Sequence, residues 1–230
     1  MRLRKKPWTA AELANPIILR GDYKKNLPAY FENDNPIHLE IGCGKGQFIS
    51  QISLKNPQIN YIAAEREEIV LAAAARLATS LAAPCLFVLM DAADILDYFN
   101  PGEIERLYIN FCDPWHRRKK WAKRRLTHSN FIKLYETLKI PEISLKTDNR
   151  ILFEFSINQF SERGWLLKDI SLDLHNKFQM NLSDEENIMT EYEEKFATKG
   201  PIYFLTSRIP LTKFEASVRE PGSKQQPTES

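Results

Sequence analysis

The sequence has few cysteines, and their arrangement excludes two common stabilising devices. Its three cysteines are Cys43, Cys85 and Cys112, and no two of them stand at the C-x-x-C spacing of a metal site. The four histidines do not cluster with the cysteines either. Zinc sites need closely spaced ligands and disulfide frameworks need paired thiols, so we predict no bound metal and no disulfide framework. Dispersed free thiols are typical of a protein that works in the reducing cytoplasm.

The sequence also lacks long apolar runs and a strong excess of charge. No stretch approaches the ~18 apolar residues of a membrane span. The charged segment MRLRKKPWTA at the N-terminus is not followed by the apolar run of a signal peptide. We therefore expect no membrane partner. The formal net charge is only +2, so nucleic-acid binding has to be judged from the local distribution of charge.

Apolar residues are plentiful, and glycine and proline are not. Hydrophobic residues make up 43% of the 230 positions, with only 8 Gly and 13 Pro, as in a globular protein with a substantial core. We predict one domain at residues 36–210. It follows an extension at residues 1–35, which is polar and interrupted by prolines. The polar residues 211–230 are predicted to form a disordered tail.

Short apolar runs alternate with helical patterns along the domain. Strands are predicted at Ile37–Ile41, Tyr61–Ala64, Cys85–Met90, Leu107–Phe111, Ile143–Lys146, Trp165–Leu174 and Pro201–Thr206. Helices are predicted at Gln47–Leu54, Ile69–Ala83, Ala93–Phe99, Ser129–Leu138 and Ile151–Arg163. The form of the acidic segment Asp184–Glu194 stays open. Strands separated by helices are typical of an α/β protein, so we predict a mostly parallel, seven-stranded sheet with helices on both faces.

Acidic residues recur where the predicted strands end. Glu65, Asp91 and Asp113 come directly after the second, third and fourth strands, and Glu40 lies near the end of the first. The carboxyl ends of parallel strands meet at one edge of a sheet, and open α/β sheets bind their ligands at that edge. The pattern therefore predicts a ligand site with four carboxylates.

A glycine-rich turn, EIGCGKG, joins the first strand to the first helix and contains Gly42, Gly44 and Gly46. Glycine lets the chain turn tightly and lets a ligand approach the backbone. The third glycine comes one residue too early for the G-x-G-x-x-G dinucleotide fingerprint, which argues against an NAD-dependent oxidoreductase. With Glu40 before it, the turn resembles the first motif of class I S-adenosylmethionine-dependent methyltransferases. A carboxylate suits that cationic cofactor and would repel a pyrophosphate.

A run of basic residues follows the fourth strand. Seven of the nine residues from Arg117 to Arg125 are Lys or Arg, and Trp121 lies among them. A solvated surface is the plain alternative, but this run lies directly after the predicted ligand edge. Basic side chains there would neutralise phosphates and the aromatic ring would stack on a base, so we predict contact with nucleic acid.

Several segments together resemble one family, the bacterial tRNA (guanine-N7)-methyltransferases. The matching segments are LEIGCGKG, NFCDPW, KRRLTH, LKTDN and MTEYEEKF, spread over residues 37–208. The resemblance implies a Rossmann-like class I methyltransferase fold. It also implies transfer of a methyl group from S-adenosylmethionine to N7 of the guanine at position 46, in the variable loop of tRNA. Either a monomer or a homodimer is compatible with the sequence.

The resemblance further implies roles for individual residues, with Asp113 as the catalytic one. The cofactor-binding residues would be Glu40, Gly42, Gly44, Gly46, Glu65, Asp91, Ala92 and Asp113. Within that set, Glu65 would accept hydrogen bonds from the ribose and Asp91 would contact the adenine. The guanosine-binding residues would be Arg117, Asp148, Thr190, Glu191, Tyr192 and Glu193. The RNA-binding residues would be Arg118, Lys119, Lys120, Lys123, Arg124 and Arg125.

Structural roles remain open for some of these residues. Asp148 could belong to a turn, and Thr190 and Glu193 have the spacing of a capping box at the start of a helix. Two features depart from the family pattern. Arg117 stands where the family typically has Lys, and the basic run is about one residue longer. A methyltransferase with another substrate and a non-catalytic RNA-binding protein on the same fold are the remaining alternatives.

Overall fold

The computed structural model describes residues 7–19, 30–175 and 187–210. Its strands are β1 Ile37–Ile41, β2 Asn60–Glu65, β3 Cys85–Leu89, β4 Ile104–Asn110, β5 Glu142–Thr147, β6 Leu166–Ser171 and β7 Tyr203–Arg208. They form one sheet in the order β3-β2-β1-β4-β5-β7-β6. Strands β1 to β5 run parallel, whereas β7 is antiparallel to both β5 and β6. The predicted seven-stranded, mostly parallel sheet is confirmed.

Seven α-helices connect or flank these strands within the described residues. They are α1 Thr9–Leu13, α2 Gln47–Lys55, α3 Glu68–Leu81, α4 Trp121–Arg124, α5 Ser129–Thr137, α6 Arg150–Glu162 and α7 Glu191–Phe196. Short 3₁₀ helices lie at Ala92–Asp97 and Arg118–Lys120. None of the described helices has the length and apolar character needed to cross a membrane.

Helices cover both faces of the sheet, as the sequence predicted. Along β2, Tyr61 and Ala63 pack with residues of α2 and α3, whereas Ile62 and Ala64 pack with residues of α5 and α6. Successive side chains of a strand point to opposite faces, so a strand buried on both faces is apolar throughout. This is why β2 contains the continuous apolar run Tyr61–Ala64.

The N-terminal segment contributes to the core. The backbone at residues 17–19 pairs with the edge strand β3, since Phe87 N–H donates to the carbonyl of Ile17 and Leu19 N–H donates to that of Phe87, both at 2.8 Å. Ile18 and Leu19 are both buried. Part of the predicted extension therefore lies against the domain, and its boundary at residue 35 stays a prediction. The predicted tail at 211–230 lies outside the described residues.

Several segments differ from their sequence-based expectations or were left open by the sequence. The basic run forms a 3₁₀ turn and α4, which hydrophobic periodicity did not indicate, because few apolar residues occur there. Strand β7 begins at Tyr203 rather than Pro201, and proline has no N–H to donate to a sheet. The acidic segment forms α7 from Glu191 onward, while its residues 184–186 lie outside the described part of the chain.

Gly46 allows α2 to approach α3 closely. Its backbone lies in the left-handed region, with φ of +79°, and a Cβ at this position would stand 2.9 Å from the Cβ of Ala74. Gly102 offers a comparison, because its φ is +86° but a Cβ there would meet nothing within 4 Å. Gly46 is therefore constrained by both conformation and space, and Gly102 by conformation alone.

We expect Gly46→Ala to destabilise the protein more than Gly102→Ala does. Both changes impose the left-handed strain of about 1–2 kcal/mol, and overpacking against α3 adds about 1–3 kcal/mol at residue 46 alone. Urea denaturation of both variants measures the difference. Equal losses would contradict a packing role for Gly46.

Candidate active site

Two adjoining cavities open at the carboxyl edge of the parallel strands. The first has a volume of about 300 Å³, and the predicted residues that line it are Gly42, Glu65, Asp91, Ala92 and Asp113. The second has a volume of about 250 Å³, and the predicted residues that line it are Glu40, Gly42, Gly44, Thr190, Glu191 and Tyr192. Gly42 and Phe111 border both cavities. The structure thus brings together the acids that follow four different strands.

Gly46 is the one glycine of the turn that lines neither cavity. The sequence-based expectation placed it among the cofactor-binding residues, but the structure uses it for packing against Ala74. Gly44 does face the site, and its N–H donates to the Glu65 carboxylate at 3.3 Å. The backbone of the turn is therefore tied to the end of β2.

Glu40 carries a buried carboxylate with one free oxygen. The residue is 1% exposed, and its Oε1 accepts a hydrogen bond from the Asn110 amide at 2.9 Å. Among the described residues, Oε2 has no hydrogen-bond partner. Burial raises the pKa of Glu40 to about 7, although the hydrogen bond from Asn110 favours the charged form. A cationic group in the second cavity would satisfy this oxygen.

Glu65 is held in place by backbone donors. Its Oε1 accepts hydrogen bonds from the N–H groups of Arg66 at 2.8 Å and Glu67 at 3.1 Å, and its Oε2 accepts the one from Gly44. Burial nevertheless raises the pKa of this carboxyl. The side chain is therefore an oriented acceptor at the wall of the first cavity, as a ribose-binding carboxylate has to be.

Asp91 has two protein partners. Its Oδ1 accepts the N–H of Ala93 and caps the 3₁₀ helix, and its Oδ2 accepts a hydrogen bond from Arg124 at 3.0 Å. Arg124 was predicted to bind RNA, but its guanidinium lies in the wall of the first cavity. Arg124 thus connects the basic segment with the predicted cofactor pocket.

Asp113 stands in a loop with an unusual backbone. Phe111 and Trp115 on either side adopt left-handed conformations, with φ of 49° and 45°. Such conformations cost non-glycine residues of order 1–3 kcal/mol and cluster at functional sites, where the surrounding structure enforces them. Asp113 itself is exposed and lines the first cavity. The strained loop presents its carboxylate at the edge where the predicted basic segment begins.

The basic segment, residues 117–125, divides into exposed and internal cations. The exposed ones are Arg117, Arg118, Lys119, Lys120 and Lys123. Of these, Lys123 also lines the first cavity. Arg117, expected to hold the guanosine, borders neither cavity and precedes the 3₁₀ turn. The exposed group forms a solvent-facing cationic surface beside the site.

Arg125 is a correction to the expected RNA-binding set. It is 2% exposed, its Nε donates to the carbonyl of Pro114 at 2.7 Å, and its guanidinium lies 3.6 Å from the Trp121 ring centre and 4.6 Å from that of Phe155. A cation enclosed by two aromatic rings is unavailable to a phosphate. Arg125 instead fixes the loop that follows Asp113, because Pro114 is its hydrogen-bond acceptor.

Helix α7 brings part of the TEYE segment to the second cavity. Thr190 caps the helix and Glu193 completes the capping box, as the alternative reading of the sequence allowed. Tyr192 donates its hydroxyl hydrogen to Asp148 at 3.0 Å. Asp148, which follows β5, is thereby joined to the cavity wall. Glu191 pairs with Lys45 of the glycine-rich turn at 2.9 Å.

Glu193 is the second correction. Its predicted role was substrate binding, but it is 0% exposed. Its carboxylate contacts Lys146 at 3.2 Å and His175 at 3.0 Å inside the protein. Lys146, on β5, was not among the predicted site residues. The signal for it was present in the LKTDN segment, where a lysine lies inside the predicted strand Ile143–Lys146.

Among the described residues, no three His, Cys, Asp or Glu side chains are grouped so as to hold a metal ion. The polar groups at the site include several carboxylates, together with the cations Lys123 and Arg124 and the hydroxyl groups of Thr190 and Tyr192. This set suits an organic cofactor that carries cationic, amino and hydroxyl donors.

Comparisons with known proteins agree with this geometry. A family model described as "Putative methyltransferase" matches residues 34–205. A protein of Lysinibacillus sphaericus (strain C3-41), named tRNA (guanine-N(7)-)-methyltransferase, is 46% identical over 218 residues, covering 91% of this chain and 98% of its own. A Bacillus subtilis (strain 168) protein with the same name is 49% identical over 211 residues, covering 88% and 96%.

Solved structures share the fold at low sequence identity. An antibiotic-related methyltransferase has a TM-score of 0.56 at 16% identity, covering 82% of this chain and 95% of its own. The 16S rRNA methyltransferase KamB has a TM-score of 0.56 at 13% identity, covering 83% and 94%. The sheet order and these likenesses define the Rossmann-like fold of class I methyltransferases, and the family model that matches most of the chain assigns it to the methyltransferases.

Within that class, the two relatives that cover most of the chain carry the same name, tRNA (guanine-N(7)-)-methyltransferase. The chain belongs to the tRNA (guanine-N7)-methyltransferase family.

The division of the basic segment leads to a prediction about stability. Arg125→Met should lower the free energy of unfolding by about 2–4 kcal/mol, because it removes a charged hydrogen bond and a desolvated cation–π contact. Lys123→Met, a matched change at an exposed position, should stay within about 0.5 kcal/mol. Chemical denaturation measures both, and a neutral Arg125→Met variant would refute the internal role.

Proposed function

We propose that this protein transfers a methyl group from S-adenosylmethionine to N7 of a guanine in tRNA, with position 46 of the variable loop as the acceptor. The observation that carries the proposal is the continuity of two surfaces. The first cavity, lined by Glu65, Asp91 and Asp113, extends to Lys123 and Arg124 of the basic segment. A small-molecule site and a phosphate-binding surface therefore share one wall. The names of the most similar relatives support the same activity.

The residues present fit the cofactor. Glu40 lines the second cavity and its Oε2 has no partner among the described residues, so its carboxylate suits an ammonium donor. Glu65 and Asp91 line the first cavity, where they suit ribose hydroxyl and adenine amino donors. S-adenosylmethionine would supply an electrophilic methyl group on a sulfonium ion. The carboxylates of the chain would orient it and favour its positive charge.

The acceptor needs no general base. N7 of guanine carries an exposed lone pair and no proton, so the protein has to position the base and stabilise the charge that develops on it. The position of Asp113 in a strained loop at the cavity wall supports that role for it. Tyr192 and Asp148, joined by their hydrogen bond, form the opposite contact surface that we assign to the guanosine.

The exposed cations of the basic segment would bind the tRNA backbone. Arg118, Lys119, Lys120 and Lys123 face solvent beside the cavity. Phosphate contacts of this kind position a nucleic acid without reading its sequence. The selection of one guanine would then depend on the shape of the tRNA and on which base reaches the cavity.

Cofactor binding should release protons near neutral pH if Glu40 pairs with its cationic end. Glu40 has a pKa of about 7 in the free protein, and a bound cation lowers it. The affinity for S-adenosylmethionine should therefore rise from pH 5.5 toward pH 7 and level off above the pKa of Glu40, as ~1.4 kcal/mol accompanies each pKa unit. Calorimetry in buffers of different ionisation enthalpy measures the protons. Glu40→Gln should abolish this release, and an unchanged release would exclude Glu40.

Asp113→Asn should slow methyl transfer. The change keeps the shape of the side chain and removes its charge, so we expect the single-turnover rate to fall by about 10²–10³ at saturating cofactor and tRNA. Asp34→Asn, an exposed acid at the opposite edge of the sheet, is the matched control.

The same assay tests the acceptor. Unmodified tRNA is incubated with labelled S-adenosylmethionine and the methyl group is mapped by nuclease digestion. A near-normal rate in Asp113→Asn would demote Asp113 to a ligand contact. A methyl group at a nucleotide other than the guanine at position 46 would overturn the assignment of the acceptor.

A further inference from the structure

Helix α7 is too short to hold its own position. It contains six residues, Glu191–Phe196, and isolated helices shorter than about 12 residues are marginal in water. Yet it presents Glu191 and Tyr192 to the second cavity. Contacts from the rest of the protein therefore have to fix the helix.

The inward side chain of α7 is Glu193, and the partners of its carboxylate among the described residues belong to the fold itself. Oε2 accepts from Lys146 Nζ at 3.2 Å and from the N–H of Thr190 at 3.4 Å. Oε1 accepts from the amide of Asn187 at 3.4 Å and contacts His175 Nε2 at 3.0 Å. A fully buried carboxylate is stable only when it is paired and hydrogen-bonded, as it is here.

The ammonium of Lys146 is the centre of this cluster. The side chain is 8% exposed, and Nζ donates to the Ile188 carbonyl at 2.9 Å, to Asn187 Oδ1 and to Glu193. Burial lowers the pKa of Lys146, while the adjacent Glu193 opposes that shift and favours the charged form. All three acceptors lie within residues 187–193. A single cation on β5 therefore binds both α7 and the segment that leads into it.

Lys146 and Asp148 are two positions apart at the end of β5, and both contact α7. Lys146 holds Glu193 on the inner side of the helix, and Asp148 holds Tyr192 at the cavity, where its hydroxyl hydrogen bond measures 3.0 Å. The ring of Tyr192 also lies 5.1 Å from that of Phe111, which borders both cavities. The position of α7 therefore sets the geometry of the site.

We propose that Lys146 is a positioning residue for methyl transfer. Through its contacts with Glu193 and the Ile188 carbonyl it fixes α7, and so holds Tyr192 and Asp148 in the arrangement that receives the guanosine. The kinetic part of this inference rests on the proposed function. The structural part, that Lys146 orders residues 187–197, does not depend on the substrate.

The test compares Lys146→Met with Arg163→Met. Arg163 forms a partly buried ion pair with Glu136, between α6 and α5, and serves as the control for loss of stability alone. Both variants are assayed at a temperature where denaturation curves show them fully folded. Lys146→Met should lower kcat/KM for tRNA by about 10-fold to 100-fold, as expected when a reacting group is misplaced. Arg163→Met should leave it within about threefold.

Two further readouts distinguish positioning from general support of the fold. Hydrogen exchange should speed up at the amides of residues 190–197 in Lys146→Met and stay unchanged in β1 and β2. A double-mutant cycle with Tyr192→Phe should be non-additive, because Lys146 acts through the placement of Tyr192. Additive effects, or exchange that rises across the whole sheet, would overturn the proposal.

Glu193→Gln provides a second route if Lys146→Met does not fold. It keeps the size of the side chain and removes the charge that Lys146 binds, and it should show the same kinetic loss and the same local exchange. The exchange measurement needs no tRNA. If the wild type failed to methylate tRNA, the proposed function would fail, while faster exchange confined to residues 190–197 would still support the ordering role. Wild-type exchange and kinetics in both variants would refute it.

Discussion

The parallel direction of β1 to β5 is the constraint on which the site depends. Because these strands run the same way, their carboxyl ends meet at one edge of the sheet, and the residues that follow them become neighbours there. Glu40, Glu65, Asp91 and Asp113 come from four different strands and line two adjoining cavities. Strand β7 pairs antiparallel with β5, and α7 contacts the end of β5 through Lys146 and Asp148. The parallel topology therefore determines which side chains meet at the site.

Charge burial at this edge is balanced by specific partners. Lys146 and Glu193 neutralise each other beneath α7, and Arg125 lies between aromatic rings with a carbonyl as its acceptor. Glu40 and Arg125 each keep one buried polar atom, Oε2 and Nη1, without a hydrogen-bond partner among the described residues, and burial raises the pKa of Glu40 to about 7. A buried acceptor without a partner is costly, and a cationic ligand removes that cost. The Lys146–Glu193 pair helps to hold the site together, whereas Glu40 lines the second cavity, where a cationic ligand can reach it.

The basic segment shows how residues of one type acquire different roles. In the sequence, Lys123, Arg124 and Arg125 are consecutive and equivalent cations. In the structure they are respectively exposed, paired with Asp91 and enclosed by Trp121. Helical geometry explains the division, since consecutive residues of a helical turn point in different directions. Lys123 is exposed at the wall of the first cavity, and Arg125 supports the loop of Asp113 through the Pro114 carbonyl.

The sequence by itself determined the order of strands and helices, the acids at the strand ends and the glycine turn, because all of these depend on local patterns and on the rule that parallel strands share an edge. Tertiary structure alone decided which charges are buried. Glu193 and Arg125 carry the same groups as exposed residues do, and only their neighbours in space, Lys146 and Trp121, remove them from solvent. Lys146 lies on β5, and the second ring that encloses Arg125, Phe155, lies on α6, whereas Trp121 is only one helical turn before Arg125. Burial depends on such contacts, and no local pattern of charge encodes them.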